Sequence, residues 1–129
     1  MRETVPAEVI VGVDTHKDVH AAVAIDVFGV HLGIKTSPAS SKGYRALGTW
    51  AVSLGPIRAV GIEGTGSYGA GLSRFLRERG HVVFEVNRSN RQLRHRKGKS
   101  DTIDAEGAAR AVLGGQAAAL RSRAPARSR

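Results

Sequence analysis

How little polypeptide separates the first three apolar runs is the strongest constraint on this chain. Val9-Ile10-Val11-Gly12-Val13 and Ala21-Ala22-Val23-Ala24-Ile25 are β-branched or small, the stretch from Val30 to Lys35 alternates apolar and polar residues in part, and each has the length of a strand. A parallel crossover needs a dozen or more residues, which these connections lack. Three antiparallel strands in meander order follow, with Phe28-Gly29 as the turn between the second and third.

The pattern then changes. Ser40 or Ser41 caps a helix whose apolar residues Tyr44, Leu47, Ala51 and Leu54 recur at helical spacing, and Gly55-Pro56 ends it. Arg58 to Glu63 is a fourth strand, entered from a helix and therefore parallel to a neighbour. Gly64-Thr65-Gly66-Ser67 turns into a second helix with Leu72, Phe75 and Leu76 inward and Gly80 at its C-terminus. Val82 to Val86 is a fifth strand, and a last helix runs from Asp101 to Leu113, stopped by Gly114-Gly115. These elements predict an α/β fold with a mixed five-stranded sheet in order 3-2-1-4-5, flanked by helices. Residues 1–8 read as an N-terminal extension, 9–115 as one domain, and 116–129 as a basic, disordered tail.

Charge narrows the class of partner. The chain of 129 residues has 20 Lys and Arg against 11 Asp and Glu, a formal charge of +9 that favours polyanions. Arg88, Arg91, Arg94, Arg96, Lys97 and Lys99 crowd one acid-free segment, whose mutual repulsion a nucleic-acid backbone would relieve. No apolar run is long enough to span a bilayer, and the polar N-terminus is not a signal peptide. The absence of cysteine excludes thiolate metal sites and disulfides and fits a cytoplasmic protein.

Four acids stand out. Asp14 ends the first strand and Glu63 the fourth. If those strands are adjacent and parallel, both side chains emerge at the carboxyl edge of the sheet, where open α/β sheets place their sites. Asp101 and Asp104, at i and i+3, share a helix face that can cross the same edge, although acids at a helix start also serve as caps. Four carboxylates together need cations, and oxygen-only donors suit magnesium or manganese. Two such ions can activate an attacking oxygen and stabilise a departing one in phosphodiester chemistry. Lys17 either contacts phosphate nearby or, as is usual for an exposed lysine, is simply solvated.

Other signals carry less. Gly98-Lys99-Ser100 lacks the upstream glycine of a Walker loop, since Leu93 stands there. Gly64 to Gly71 suits either a phosphate cradle or a sharp turn off a buried strand. His16 and His20 have a zinc-like spacing only if helical, so their pairing is read as coincidence. Tyr68 suits either stacking on a base or the start of the second helix's packed face and is read as packing, and Trp50 is read as core or half-exposed helix surface.

Three segments together, Val11-Gly12-Val13-Asp14-Thr15-His16-Lys17, Glu63-Gly64-Thr65-Gly66-Ser67-Tyr68-Gly69 and Lys99-Ser100-Asp101-Thr102-Ile103-Asp104-Ala105, resemble the IS110 family of DEDD transposases, also called bridge-RNA-guided recombinases. The resemblance spans about residues 9 to 115. It implies a RuvC-like, RNase H-type fold in which Asp14, Glu63, Asp101 and Asp104 form the acidic tetrad. Two magnesium ions (Mg2+), with manganese (Mn2+) as substitute, are the implied cofactors. DNA, a structured guide RNA and further copies of the chain are the implied partners. The implied activity is DNA strand cleavage and exchange in transposition. Ser100 stands where the family usually has threonine. The family continues into a second domain with a nucleophilic serine, and the sequence at hand resembles only the first. A stand-alone RuvC-type nuclease and a non-catalytic nucleic-acid-binding module are the alternatives. A sugar-kinase fold is disfavoured, because its small glycine-rich loop after the aspartate is here Thr15-His16-Lys17.

Overall fold

In the computed structural model, which describes residues 7–87 and 101–120, the first strand β1 (Val9–Thr15) is sealed from solvent along its whole length. Its apolar, β-branched sequence suits that position, since a strand with helices on both faces has no solvent side on which to alternate. β2 (Val19–Asp26) and β3 (His31–Pro38) follow antiparallel, and α1 (Ser41–Leu54) leads into β4 (Ile57–Glu63), which lies parallel to β1. α2 (Ala70–Glu78), β5 (Val83–Val86) and α3 (Asp101–Leu113) complete the expected elements.

The sheet order is β3-β2-β1-β4-β5-β6, so the expected sequence of five strands holds and a sixth is added. β6 (Ala118–Ala119) pairs antiparallel with β5, and the Leu120 amide donates to the Val83 carbonyl at 2.8 Å. The expectation of disorder from residue 116 onward is therefore corrected for 118–120. Two alanines carry little strand signal, and what holds them is the open edge of β5 rather than their own pattern. Residues 121–129 lie outside the described chain.

Local chemistry explains most boundaries. Ser40 is the N-cap of α1, its hydroxyl accepting from the Gly43 amide at 3.2 Å. The turn after β2 is held by the Asp26 carboxylate, which accepts from the amides of Phe28 and Val30, with Gly29 at φ +87°. Arg79 caps α2, and Gly80 at φ +89° is the residue after the cap.

Two cores flank the sheet. Val9, Val11 and Val13 of β1 join Ala22, Ala24, Val60 and Ile62 beneath Leu47, Leu72 and Leu76 of α1 and α2. Trp50 packs half-buried against this cluster. On the other face Ile10, Val23 and Ile25 meet Ala105 and Ala109 of α3. This second interface is thin because the sheet offers glycine where the helix crosses it. A Cβ at Gly12 would fall inside the Ala105 carbonyl oxygen and the Ala109 amide nitrogen, and one at Gly61 would lie 2.5 Å from Val112 Cγ2 and 3.0 Å from the Ala108 oxygen. α3 packs on β1, β2 and β4, and Leu32 and Ile34 on the edge strand β3 stay exposed.

Candidate functional site

Strand alternation decides which way the acids face. Val13 of β1 pairs with Ile62 of β4, and both lie in the core under α1 and α2. The next residue on each strand therefore faces α3. Those residues are Asp14 and Glu63, side by side at the carboxyl ends of parallel neighbours. Asp104 precedes Ala105, the residue whose carbonyl sits over Gly12, so α3 carries it across the same strand end. Asp14, Glu63 and Asp104 are 0%, 4% and 2% exposed, which no solvated capping role requires. Asp101 is the first residue of α3, one turn earlier, and its side chain lies outside the described residues.

The backbone around these acids is tied together. Thr15 Oγ1 donates to the Glu63 carbonyl oxygen at 2.8 Å, joining the ends of β1 and β4. Gly64 follows at φ +80°, and its carbonyl accepts from the amides of Ser67 (3.0 Å) and Gly69 (2.8 Å), a tight turn into α2. Thr65 Oγ1 donates to Glu85 Oε1 at 2.8 Å, anchoring that turn to β5. Among the described residues no three His, Asp or Glu side chains already form a group able to hold a metal ion. The donor chemistry nonetheless fits one, since buried carboxylates at a single strand end are oxygen donors suited to magnesium or manganese.

Several sequence expectations meet different outcomes. Lys17 is exposed just past β1, at the same end of the sheet. Arg88, Arg91, Arg94, Arg96, Lys97 and Lys99 lie outside the described residues. His16 and His20 do not pair: His20 faces α1, stacked on Tyr44 with ring centroids 6.0 Å apart, whereas His16 turns to Asp14. Tyr68, expected to pack, is 56% exposed, because the helix it was assigned to begins only at Ala70.

Sequence reasoning missed the role of His16. Its Nε2 lies 2.8 Å from Asp14 Oδ2, with His16 37% exposed and the aspartate fully covered. The signal was available: residues two apart on an extended segment share a face.

His20 yields a prediction of its own. Burial holds its pKa below the ordinary 6.5; the Val19 backbone opposes this, His16 adds to it, and Asp14 opposes it. His81 is lowered too, by burial and then by Arg79. Both are bases whose neutral form the fold prefers. Their contribution to stability is complete above about pH 6.5 and is lost as pH falls from there towards the folded-state values. Urea unfolding at pH 7.5 and 5.5 should show lower stability at the acid end, and His20→Phe, which keeps the ring stack, should reduce the difference.

An α/β domain with this strand order and buried acids at the ends of β1 and β4 is an RNase H-like domain of RuvC type. Thermus thermophilus RuvC in complex with a Holliday junction substrate superposes with a TM-score of 0.63 at 14% identity, covering 88% of this chain and 99% of that one. A second Thermus thermophilus RuvC structure gives 0.60 at 14% identity, over 87% and 99%. The chain belongs to the IS110-type DEDD transposase family, whose model, described as Transposase, matches residues 11–127. No curated protein matches the sequence.

Proposed function

We propose that this chain is the metal-binding domain of an IS110-type transposase, acting on DNA phosphodiesters under the direction of a structured guide RNA. What supports this most is the burial of Asp14 and Glu63 on adjacent parallel strands beneath Asp104. Asp14, Glu63, Asp101 and Asp104 would hold two magnesium ions, with manganese as substitute. Those ions, when bound, supply charge stabilisation at the attacking and leaving oxygens. The protein's own part is orientation. Thr15 locks the strand ends together, the Gly64 turn clears the backbone away from the edge, and α3 closes the site from above.

Lys17 and the cluster Arg88, Arg91, Arg94, Arg96, Lys97 and Lys99 would grip the phosphate backbones of DNA and guide RNA. The reading includes a cytoplasmic, multimeric protein. Strand exchange is assigned to this domain only together with the family's second, serine-bearing domain.

A stand-alone RuvC-type nuclease is the second reading, favoured by one observation: the match takes in 99% of the Thermus thermophilus RuvC chain. One experiment separates the possibilities. The chain is titrated with manganese by calorimetry and incubated with branched and linear DNA in magnesium. Manganese uptake that Asp14→Asn removes is the expected result. Cleavage of branched DNA by the chain alone would favour the junction nuclease. No uptake, with RNA affinity unchanged in Asp14→Asn, would leave a non-catalytic binding module.

A further inference from the structure

We propose that His16 is a ligand of the ion held by Asp14, which makes the site a mixed nitrogen–oxygen centre that prefers manganese to magnesium. The inference rests on the metal-binding reading above and adds to it a residue outside the acidic tetrad. β1 ends at Thr15, and the His16 amide donates to the Val19 carbonyl at 3.0 Å, fixing the backbone of the short hairpin into β2. That anchoring holds the imidazole over the strand end, on the side of Asp14.

Distance is the main support. Ligands at right angles about an ion, each at about 2.0–2.1 Å, stand about 2.9 Å apart. His16 Nε2 and Asp14 Oδ2 are 2.8 Å apart, so the pair already has the separation of adjacent ligands. Without metal, Nε2–H donates to the carboxylate. With metal, the ring takes the neutral tautomer with its proton on Nδ1, leaving the Nε2 lone pair for the ion. Exposure fits as well: the aspartate is fully covered while His16 is 37% exposed, so the histidine stands on the solvent side of that carboxylate.

Chemistry then sets the preference. Magnesium favours oxygen donors and retains its water, whereas an imidazole suits ions later in the transition series. Loss of the ring should therefore weaken manganese binding far more than magnesium binding.

The test is pulsed electron paramagnetic resonance of the full chain loaded with manganese, prepared with natural-abundance histidine and with 15N-histidine. The expected spectrum shows nitrogen modulation that changes with the isotope, disappears in His16→Gln and survives in His20→Phe. Calorimetry should show the manganese-to-magnesium affinity ratio falling at least about tenfold in His16→Gln. Manganese bound in an Asp14-dependent manner without nitrogen modulation overturns the ligand assignment and leaves the metal-binding reading intact. An equal loss of affinity for both ions in His16→Gln, again without modulation, likewise overturns it, showing a hydrogen bond that only positions Asp14. Absence of manganese uptake, or uptake indifferent to Asp14→Asn, overturns both readings together. Should His16→Gln fail to fold, His16→Asn takes its place, and a wild-type spectrum without nitrogen modulation overturns the assignment by itself.

Discussion

Adding one methyl group at Gly12 should destabilise the chain by about 3 kcal/mol or more, the upper end of what overpacking costs. The new Cβ would meet the Ala105 carbonyl and the Ala109 amide, backbone atoms of a helix that has no rotamer to offer in response. Either α3 lifts off or β1 bends, and both outcomes separate Asp104 from Asp14. For a domain of this size the loss corresponds to a fall in Tm of roughly 10 °C. Gly61→Ala should cost less, because its nearest obstacle, 2.5 Å away, is a Val112 methyl able to shift, although the Ala108 oxygen at 3.0 Å limits the relief. Gly66→Ala, with nothing within 4 Å, should change stability by less than about 0.5 kcal/mol. Thermal and urea unfolding of the three variants gives the ranking, and equal effects at positions 12 and 66 would contradict the packing described.

Asp104→Asn should have the opposite signature, with a large functional loss and little structural change. Its side chain is 2% exposed at the strand end shared by Asp14 and Glu63, and asparagine fills nearly the same volume. Without metal, Tm should stay within about 2 °C of wild type or rise, since the exchange removes one buried charge and keeps the volume. With manganese at 100 times its dissociation constant, the wild type should gain about 2.7 kcal/mol, whereas Asp104→Asn should gain almost nothing. Metal-dependent DNA cleavage, measured with the family's second domain present, should fall at least about 10²- to 10³-fold. Lys17→Ala is the contrasting variant, with metal uptake unchanged and DNA affinity lowered. A metal-induced rise in Tm persisting in Asp104→Asn would place the ion elsewhere.

The order of the sheet was legible because it rests on connection length, a property of the backbone. Runs as close as those ending at Val13, Ile25 and Lys35 can only turn back on one another, and a strand reached through α1 can only return in parallel. That Asp14 and Glu63 reach the same edge of the sheet was legible from that topology, since each ends one of two adjacent parallel strands. What escaped depends on partners distant in sequence. Ala118 and Ala119 pair only because β5 offers an open edge. His16 was set aside while weighed against His20 as a helical pair, when its counterpart was Asp14 on the extended segment just behind it. Tyr68 was assigned to a helix that starts two residues later.

Gly12 and Gly61 also bear on how the domain moves. Where large side chains separate a helix from a sheet, rotamer changes let the two slide, but α3 rests on β1 with main chain against main chain. The clearance above the strand ends is thus set by covalent geometry and has almost no compliance. A substitution that thickens either surface at this contact therefore displaces the helix as a whole rather than a single side chain.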